Sequence, residues 1–218
     1  MNIKKITALL CAVVMVLSLA ACGSKGDKAE NKHYTVGICQ LVQHEALDAA
    51  TQGFIDALNE ALPGQVKIEE KNASGDSNSC ATIVNGFVSE GVDLIMANAT
   101  AALQAAASAT SDIPVLGTSI TAYGVALDID DFSGTVGGNV SGTSDLADLS
   151  KQADMITEWF PETQKVGLLF CSAEPNSRYQ IEEVAKNLSA KGIETKEFAF
   201  TDTNDDSSVT QAACDWAD

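Results

Sequence analysis

Short apolar runs alternate with longer segments of helical periodicity along most of this chain. Each run ends in turn residues and is followed by apolar positions that recur three and four residues apart. Repeated units of this kind place parallel strands between helices, so the sequence predicts an α/β fold with parallel sheets. The predicted strands are 34–39, 65–71, 92–97, 113–119, 139–144, 165–170 and 193–200, and the predicted helices are 44–62, 76–90, 100–109, 146–160, 176–192 and a last helix capped by Ser208.

The predicted strands fall into two groups, which indicates two lobes. Residues 33–145 contain five of them and form an N-terminal α/β lobe, whereas residues 146–218 contain two and form part of a C-terminal α/β lobe. The helix that opens the second lobe has Leu146 and Phe160 at the ends of its apolar stripe. Because two strands do not make an independently stable parallel sheet, we expect further second-lobe strands beyond residue 218.

The chain begins with a segment typical of an export signal. Two lysines precede an apolar run, shorter than a usual membrane span, that ends in small residues, so residues 1–21 are predicted to be a signal peptide. The sequence LAAC at 19–22 resembles the bacterial lipobox, which predicts that Cys22 becomes the lipidated N-terminus and anchors the protein outside the cytoplasm. The polar residues 22–32 are predicted to be a tether. The alternative is an ordinary signal with an incidental cysteine.

The chain is strongly acidic, with a formal net charge of −17 at pH 7 and no basic patch. Such a charge excludes nucleic acid as a partner and gives no electrostatic attraction to anionic lipid. Apolar residues make up 45% of the sequence, which is enough for a real core. The lipid on Cys22 is therefore the predicted contact with the membrane.

The six cysteines do not form an obvious disulfide or metal set. Cys11 lies in the predicted signal and Cys22 in the lipobox. The others are far apart in apolar patterns, and we predict that they are buried free thiols, with a disulfide as the alternative. No CxxC or Cys/His spacing indicates a metal, and no cofactor is expected. These four cysteines are Cys39, Cys80, Cys171 and Cys214.

Hydrogen-bonding residues collect directly after the predicted strands. In open α/β sheets ligands bind at this edge, beside helix N-termini. Hydroxyls and amides suit a carboxylate and Asp or Glu suits an amine, so the set predicts a site for a small zwitterion. The candidates are Gln40, Gln43, His44, Asn98, Thr100, Thr118, Ser119, Thr121, Ser144, Asp145, Glu174, Asn176 and Ser177.

Several of these candidates have a plainer structural explanation. Thr100, Asn176 and Ser177 stand where helix caps belong. Asp145 would cap the helix that follows it, and His44 at a helix start would simply be exposed. Both interpretations stay open from the sequence.

Motifs of enzymes are missing. The segment GTVGGNVSG fits neither G-x-G-x-x-G nor the P-loop, and QHEALD lacks the second histidine of a zincin. His33 and His44 are the only histidines, and there is no nucleophile elbow. We therefore expect a binding protein rather than an enzyme.

Four segments carry a resemblance to a known family. QLVQHEALDAATQGF, DLIMANATAALQAAA, NVSGTSDL and CSAEPNS occur in the expected order and resemble the ABC-transporter substrate-binding lipoproteins of the tryptophan/tyrosine type. These belong to the type I periplasmic-binding-protein superfamily. The resemblance implies two Rossmann-like lobes joined by crossover strands, a small ligand held between them, and a second lobe longer than this sequence supplies. Amino acids, aromatic ones included, are the implied ligand class.

The resemblance also implies roles for individual residues. Gln40 and His44 would face the cleft, and Thr100 with the amide of Ala101 would offer a helix N-terminus to a carboxylate. The floor and the closing side would come from Ser119, Thr121, Asp145, Glu174 and Asn176.

Two neighbouring positions leave the ligand class open. Ala122 stands where many relatives carry Asp, which removes one partner for an amine. Tyr123 is equally well placed to stack on an aromatic ligand or to pack in the core.

The implied mechanism is capture and delivery. The lobes close around the ligand, and an ABC permease with its ATPase receives it while the tether keeps the receptor close. Two alternatives stay open: a sugar or nucleoside receptor of the same fold, and a ligand-sensing lipoprotein without a transporter.

Overall fold

The computed structural model describes residues 32–201 and 206–217. The predicted signal peptide, Cys11, Cys22 and nearly all of the predicted tether lie outside the described residues. Within the described ranges, no helix is both long and apolar enough to cross a membrane.

Strands and helices alternate along the described chain, as predicted. The strands are β1 (Tyr34–Gln40), β2 (Val66–Asn72), β3 (Leu94–Asn98), β4 (Val115–Ile120), β5 (Val140–Ser144), β6 (Lys165–Cys171) and β7 (Glu194–Phe200). The helices are α1 (Glu45–Ala61), α2 (Ser77–Glu90), α3 (Thr100–Ala109), α4 (Tyr123–Ala126), α5 (Leu149–Trp159), α6 (Pro175–Ala190) and α7 (Asp206–Ala217).

The strands form two parallel sheets. The first has the order β2-β1-β3-β4-β5, and the second pairs β6 with β7. Parallel pairing follows from the helices between successive strands, since each crossover returns the chain to the same end of the sheet. The carboxyl ends of neighbouring strands therefore share one edge within each sheet.

The first sheet has helices on both faces. Successive residues of β1 point to opposite sides, so Cys39 faces α2 whereas Ile38 faces α1. On the side of α2 and α3, Cys39, Ile95 and Phe87 are fully buried, and on the side of α1 so are Ile38 and Met96. These apolar contacts fix the position of the strand ends.

The second sheet carries a smaller core. Leu168 and Phe170 of β6 pack with Ile181 and Leu188 of α6. Helix α7 packs on both strands through Trp216, whose ring contacts that of Phe198 with centroids 6.0 Å apart.

The start of α5 differs from the prediction. The helix begins at Leu149 and is capped by Asp148, not by Asp145, because the Asp148 side chain accepts a backbone N–H of the first turn. Leu146 therefore lies outside the helix, and it is 40% exposed. Phe160, which was predicted to face inward, follows the last helical residue and is 63% exposed.

Two other helix predictions were incomplete. Helix α4 was not predicted, because four residues are too few to show helical periodicity. Helix α7 begins before Ser208, so the predicted cap lies within the helix. Ser208 and Gln211 have the three-residue spacing of a capping box, but a Ser and a Gln at this spacing also occur inside helices, which explains the wrong boundary.

The prediction of four buried thiols holds for two of them. Cys39 and Cys80 are fully buried, whereas Cys171 is half-buried and Cys214 is exposed. Cys171 ends β6 at the rim of a cleft, and Cys214 lies on the outer side of α7, which is why an apolar local pattern did not imply burial. Within the described residues all four are free thiols.

Candidate functional site

A cleft of about 890 Å³ lies between the two sheets at the carboxyl ends of their strands. The first lobe contributes the residues after β1, the turn before α2 and the start of α3. The second contributes β6, the loop after it, the start of α6 and the end of β7. The lining residues are Leu41, Val42, Ser74, Gly75, Ser77, Ala101, Leu169, Phe170, Cys171, Ala173, Glu174, Pro175, Asn176, Ser177, Gln180, Ile181, Phe200 and Thr201.

Three helices begin at this cleft. Helix α2 is capped by Asp76, which accepts the N–H of Asn78 at 3.0 Å. No side chain among the described residues caps α3 or α6, whose preceding residues are Ala99 and Glu174. The first amides of a helix have no partner within the helix and carry a partial positive charge. The start of α3 can therefore bind an anion such as a carboxylate. In α6, Pro175 has no N–H and the Ser177 N–H donates to the carbonyl of Glu174 at 3.0 Å, so the Asn176 N–H is the amide available to an anion there.

Glu174 supplies the negative charge of the site. Among the described residues that line the cleft it is the only charged one. Its carboxylate is exposed and accepts the hydroxyl of Ser177 at 3.3 Å. A carboxylate in this position can bind an ammonium group.

The remaining wall of the cleft is largely apolar. Leu169 of β6 is 41% exposed, and Phe200 at the end of β7 is half-buried. Leu41 and Val42 lie on the side of the first lobe. The cleft thus combines helix amides that can bind an anion, a carboxylate that can bind a cation, and an apolar surface.

Four of the predicted site residues line this cleft: Ala101, Glu174, Asn176 and Ser177. The others lie around it or away from it.

Gln40 points away from the cleft. It is 2% exposed, accepts the hydroxyl of Thr51 at 2.6 Å and donates to Asp48 of α1 at 2.5 Å. Asn98 belongs to the same network, since it donates to Thr51 at 2.9 Å and to the carbonyl of Leu47 at 2.8 Å. Gln40 lines a polar cavity of about 690 Å³ beside α1, which shares Val42 and Ser74 with the cleft. These amides connect α1 to the sheet.

His44 and Thr100 occupy helix starts. The His44 ring accepts the N–H of Ala46 at 3.2 Å and caps α1, and the residue is exposed. Thr100 is the first residue of α3 rather than its cap, and it is 5% exposed. Its neighbour Ala101 reaches the cleft.

Thr121, Ser144 and Asp145 lie where the chain leaves the first lobe. The Ser144 hydroxyl donates to the carbonyl of Thr121 at 2.8 Å and accepts the N–H of Leu146 at 3.3 Å. The N–H of Asp145 donates to the carbonyl of Ile120 at 3.1 Å. These bonds fasten the crossover to the end of β4.

Ser119 and Tyr123 adjoin the same crossover. Ser119 has φ +56°, at the register shift between β4 and β5. The Tyr123 hydroxyl is buried and donates to the carbonyl of Gly117 at 3.0 Å, so Tyr123 packs in the core. Burial, together with the nearby carboxylate of Asp145, raises the pKa of Tyr123 to about 12.

Sequence reasoning missed two groups of lining residues. Ser74, Gly75 and Ser77 follow β2, and the strand-end rule would have found them had it been applied to that strand. Leu169 and Phe200 lie in ordinary strand patterns, which do not distinguish a ligand wall from a core. In the described part of the chain, no cluster of three residues is suited to hold a metal ion.

Two lobes of parallel strands and helices, with a cleft between them at the strand ends, define the type I periplasmic-binding-protein fold, which confirms the predicted fold class. The chain belongs to the ABC transporter substrate binding protein family, whose model matches residues 35–218. This match confirms the resemblance seen in the sequence.

Three relatives show how far the similarity extends. A tyrosine-binding protein of Clostridioides difficile (strain R20291) is 35% identical over 197 residues, which cover 83% of this chain and 56% of that protein. An ABC domain in complex with L-Trp from Streptococcus pneumonia has a TM-score of 0.79 at 33% identity, covering 86% of this chain and 64% of that one. The ligand-free, open structure of a substrate binding protein with adhesive properties from Clostridium difficile has a TM-score of 0.58 at 32% identity, covering 82% and 60%. This chain spans less than two thirds of each relative.

The two solved relatives match to different extents at nearly the same identity. The TM-score is 0.79 against the L-Trp complex and 0.58 against the ligand-free, open structure. The fold of this chain therefore superimposes more fully on the L-Trp complex than on the ligand-free, open structure.

Proposed function

We propose that this protein captures an amino acid between its lobes and delivers it to an ABC importer. The observation that carries the proposal is the meeting, in one cleft, of the α3 and α6 N-termini, Glu174 and an apolar wall. These three elements are complementary to the carboxylate, the ammonium and the side chain of an α-amino acid. Family membership supports the same role.

The elements of the cleft suggest how the ligand is oriented. The first-turn amides of α3, at Thr100 and Ala101, and the Asn176 N–H of α6 bind the ligand carboxylate. Glu174 binds the ammonium, and Phe200 contacts the ligand side chain. Two relatives named for tyrosine and L-Trp support a large apolar side chain.

The other predicted site residues act on the ligand indirectly in this proposal. Gln40 holds α1 against the end of β1, His44 caps α1, and Ser119 shapes the end of β4. The crossover contacts of Thr121, Ser144 and Asp145 set the angle between the lobes as they close.

The sequence before His33 supports a location on the outer face of the membrane. Residues 1–21 direct export, Cys22 carries the lipid anchor, and residues 22–32 tether the binding unit. The partners are a permease and its ATPase, so the protein itself performs no chemistry on the ligand.

Binding by the full chain tests this proposal. Titration calorimetry compares L-Trp, L-Tyr and L-Leu with tryptamine, which lacks the carboxylate, and indole-3-propionate, which lacks the ammonium. We expect an L-amino acid to bind at least about tenfold more tightly than either truncated probe, since each loses one charged contact. Glu174→Gln should weaken L-Trp binding by a similar factor and leave indole-3-propionate binding unchanged.

Glu158→Gln is the matched control, because Glu158 is an exposed residue of α5 whose side chain makes no hydrogen bond or ion pair with any described residue. It should bind L-Trp like the unaltered chain. If ribose or nucleosides bound in the same titrations and no amino acid did, the result would instead support the sugar or nucleoside alternative. Amino-acid binding without transfer to a permease in reconstituted vesicles would support the sensing alternative.

A further inference from the structure

Arg178 of α6 contacts two strands that end at the cleft. Its guanidinium lies over the ring of Phe170 in β6, with the carbon Cζ 4.6 Å from the ring centroid. Its Nη1 donates to the carboxylate of Glu197 in β7 at 2.6 Å. Phe170 lines the cleft and is buried, whereas Arg178 and Glu197 are exposed. One side chain thus joins α6, β6 and β7 beside the candidate site.

The helix itself does not favour an arginine at this position. Arg178 lies in the first turn of α6, where the amides carry a partial positive charge that disfavours a cation. Its partner within the helix is Glu182, four residues further on, with Nε and Oε1 4.0 Å apart. A cation that precedes its anion in this way is the less stabilising order along a helix. The contacts that favour Arg178 are therefore those to Phe170 and Glu197.

The contact of Arg178 with Phe170 spans the loop that carries Glu174. Phe170 is the penultimate residue of β6, and Arg178 lies four residues after Glu174. At the start of this loop, the Ser172 N–H donates to the carbonyl of Phe200 in β7 at 2.8 Å. Arg178 makes the second attachment to β7, through its ion pair. The loop is therefore fixed to the same strand on both sides.

We propose that Arg178 is a positioning residue of the ligand site, which holds the loop after β6 so that Glu174 and the Asn176 N–H are presented to the ligand. This inference rests on the proposed function, which assigns these two groups to the ammonium and the carboxylate of the ligand. Arg178 does not itself line the cleft. A guanidinium suits the role because its plane stacks on a ring while its N–H groups bind a carboxylate. Lysine supplies a single point charge and does not do both.

Hydrogen exchange of the ligand-free full chain tests whether Arg178 holds the loop. Mass spectrometry compares peptides covering 171–177 and 165–169 in the unaltered chain and in Arg178→Gln. We expect exchange in 171–177 to be about threefold to tenfold faster in the variant, because the ring contact and the ion pair are both lost. Exchange in 165–169 should be unchanged.

Lys186→Gln is the matched control for both measurements. It removes an equal charge from α6 at an exposed residue, and the ion pair that it breaks, to Glu183, lies within the helix. It should leave exchange in 171–177 and the affinity for L-Trp like those of the unaltered chain.

Titration calorimetry with L-Trp tests whether the held loop matters for binding. Arg178→Gln should raise the Kd for L-Trp about threefold to tenfold, and Arg178→Lys should restore only part of the affinity. In a chain that already carries Glu174→Gln, adding Arg178→Gln should weaken L-Trp binding by a smaller factor, because one of the two contacts that the loop supplies is already lost.

Equal exchange in 171–177 in Arg178→Gln and in the unaltered chain would overturn the proposal. Faster exchange in 165–169 as well would also overturn it, because the second sheet would then be loosened as a whole. An unchanged Kd for L-Trp, or full recovery by Arg178→Lys, would equally overturn a positioning role. If the unaltered chain bound no amino acid, the proposed function would fail, and the exchange rates would still decide whether Arg178 holds the loop.

Discussion

Gly142 lies where β5 passes closest to β4 and to the ring of Tyr123. Its φ is +150°, and a Cβ at this position would collide with the carbonyl oxygen of Gly117 and the Tyr123 hydroxyl. The same two groups are hydrogen-bonded to each other. Because Gly142 has no side chain, β5 can come close enough to β4 to pair with it.

Gly142→Ala should destabilise the chain by about 2–4 kcal/mol, because the added methyl group meets backbone and a buried ring that cannot move aside. Urea denaturation of the full chain measures the change. Gly53→Ala is the matched control, since Gly53 lies in α1 with open space around it and should gain up to about 1 kcal/mol. Equal effects at the two positions would contradict this account.

The strand-end rule found the correct edge of the sheet but not the direction of each side chain. Gln40 follows Ile38 by two residues, and Asn98 follows Met96 by two. Ile38 and Met96 face α1, so the period of two sends both amides to α1 as well. The position of Gln40 after the first strand and the family resemblance predicted that it faces a ligand. Alternation along the strand, which is also readable from the sequence, predicts the hydrogen bonds that the structure contains.

At the scale of elements, the three helix starts at the cleft differ in their capping. Asp76 caps α2, and the backbone N–H of Asn78 and the hydroxyl of Ser79 hold the pKa of its carboxyl below the usual range. A carboxyl whose pKa is lower in the folded state stabilises the protein above its unfolded pKa of about 3.9. That stabilisation is lost as the pH falls through the folded-state pKa.

Asp76→Ala should lower the thermal unfolding midpoint of the full chain at pH 7 by about 2–4 °C, because two bonds at the start of α2 are lost. The difference from the unaltered chain should shrink as the pH falls through the folded-state pKa of Asp76. Calorimetry over a pH series measures both effects.

Asp130→Ala removes an equal charge from an exposed residue that makes no hydrogen bond or ion pair within the described chain. It should leave the midpoint nearly unchanged. If the thermal midpoint of Asp76→Ala were lowered by the same amount at every pH, the charge of Asp76 would play no part in the cap.

Most elements were predictable because a helix or strand with a buried face has apolar residues at regular intervals in its sequence. The start of α5 was not, since Leu146 continues the apolar spacing although Asp148 begins the helix. Helix α4 follows a strand end and is only four residues long, so tertiary packing of Tyr123 decides its conformation. Boundaries and short helices depend on single capping or packing contacts that periodicity does not contain.

At the scale of the whole molecule, the two sheets of the described residues carry apolar cores of different size. The first sheet has helices on both faces and strands β1 and β3 at its interior. The second sheet pairs two strands, and Leu169 of β6 remains 41% exposed. Fewer buried apolar contacts leave the second sheet easier to open.

Hydrogen exchange of the full chain should therefore be slowest in β1 and β3 and faster in β6 and β7. Mass spectrometry of peptides after timed labelling measures the rates. β2, an edge strand of the first sheet, is the internal comparison and should be intermediate. Equal protection of β3 and β6 would contradict unequal stability of the lobes.

The proposed recognition of a ligand carboxylate by helix amides has a consequence for how such a receptor diverges. Nearly every residue type supplies the same backbone N–H, so mutation at the first turns of α3 and α6 rarely deletes a carboxylate contact. The apolar wall consists of side chains such as Leu169 and Phe200, and each substitution there changes its shape. Under the proposed function, descendants of this chain can thus exchange one amino acid for another while they retain the ability to bind amino acids.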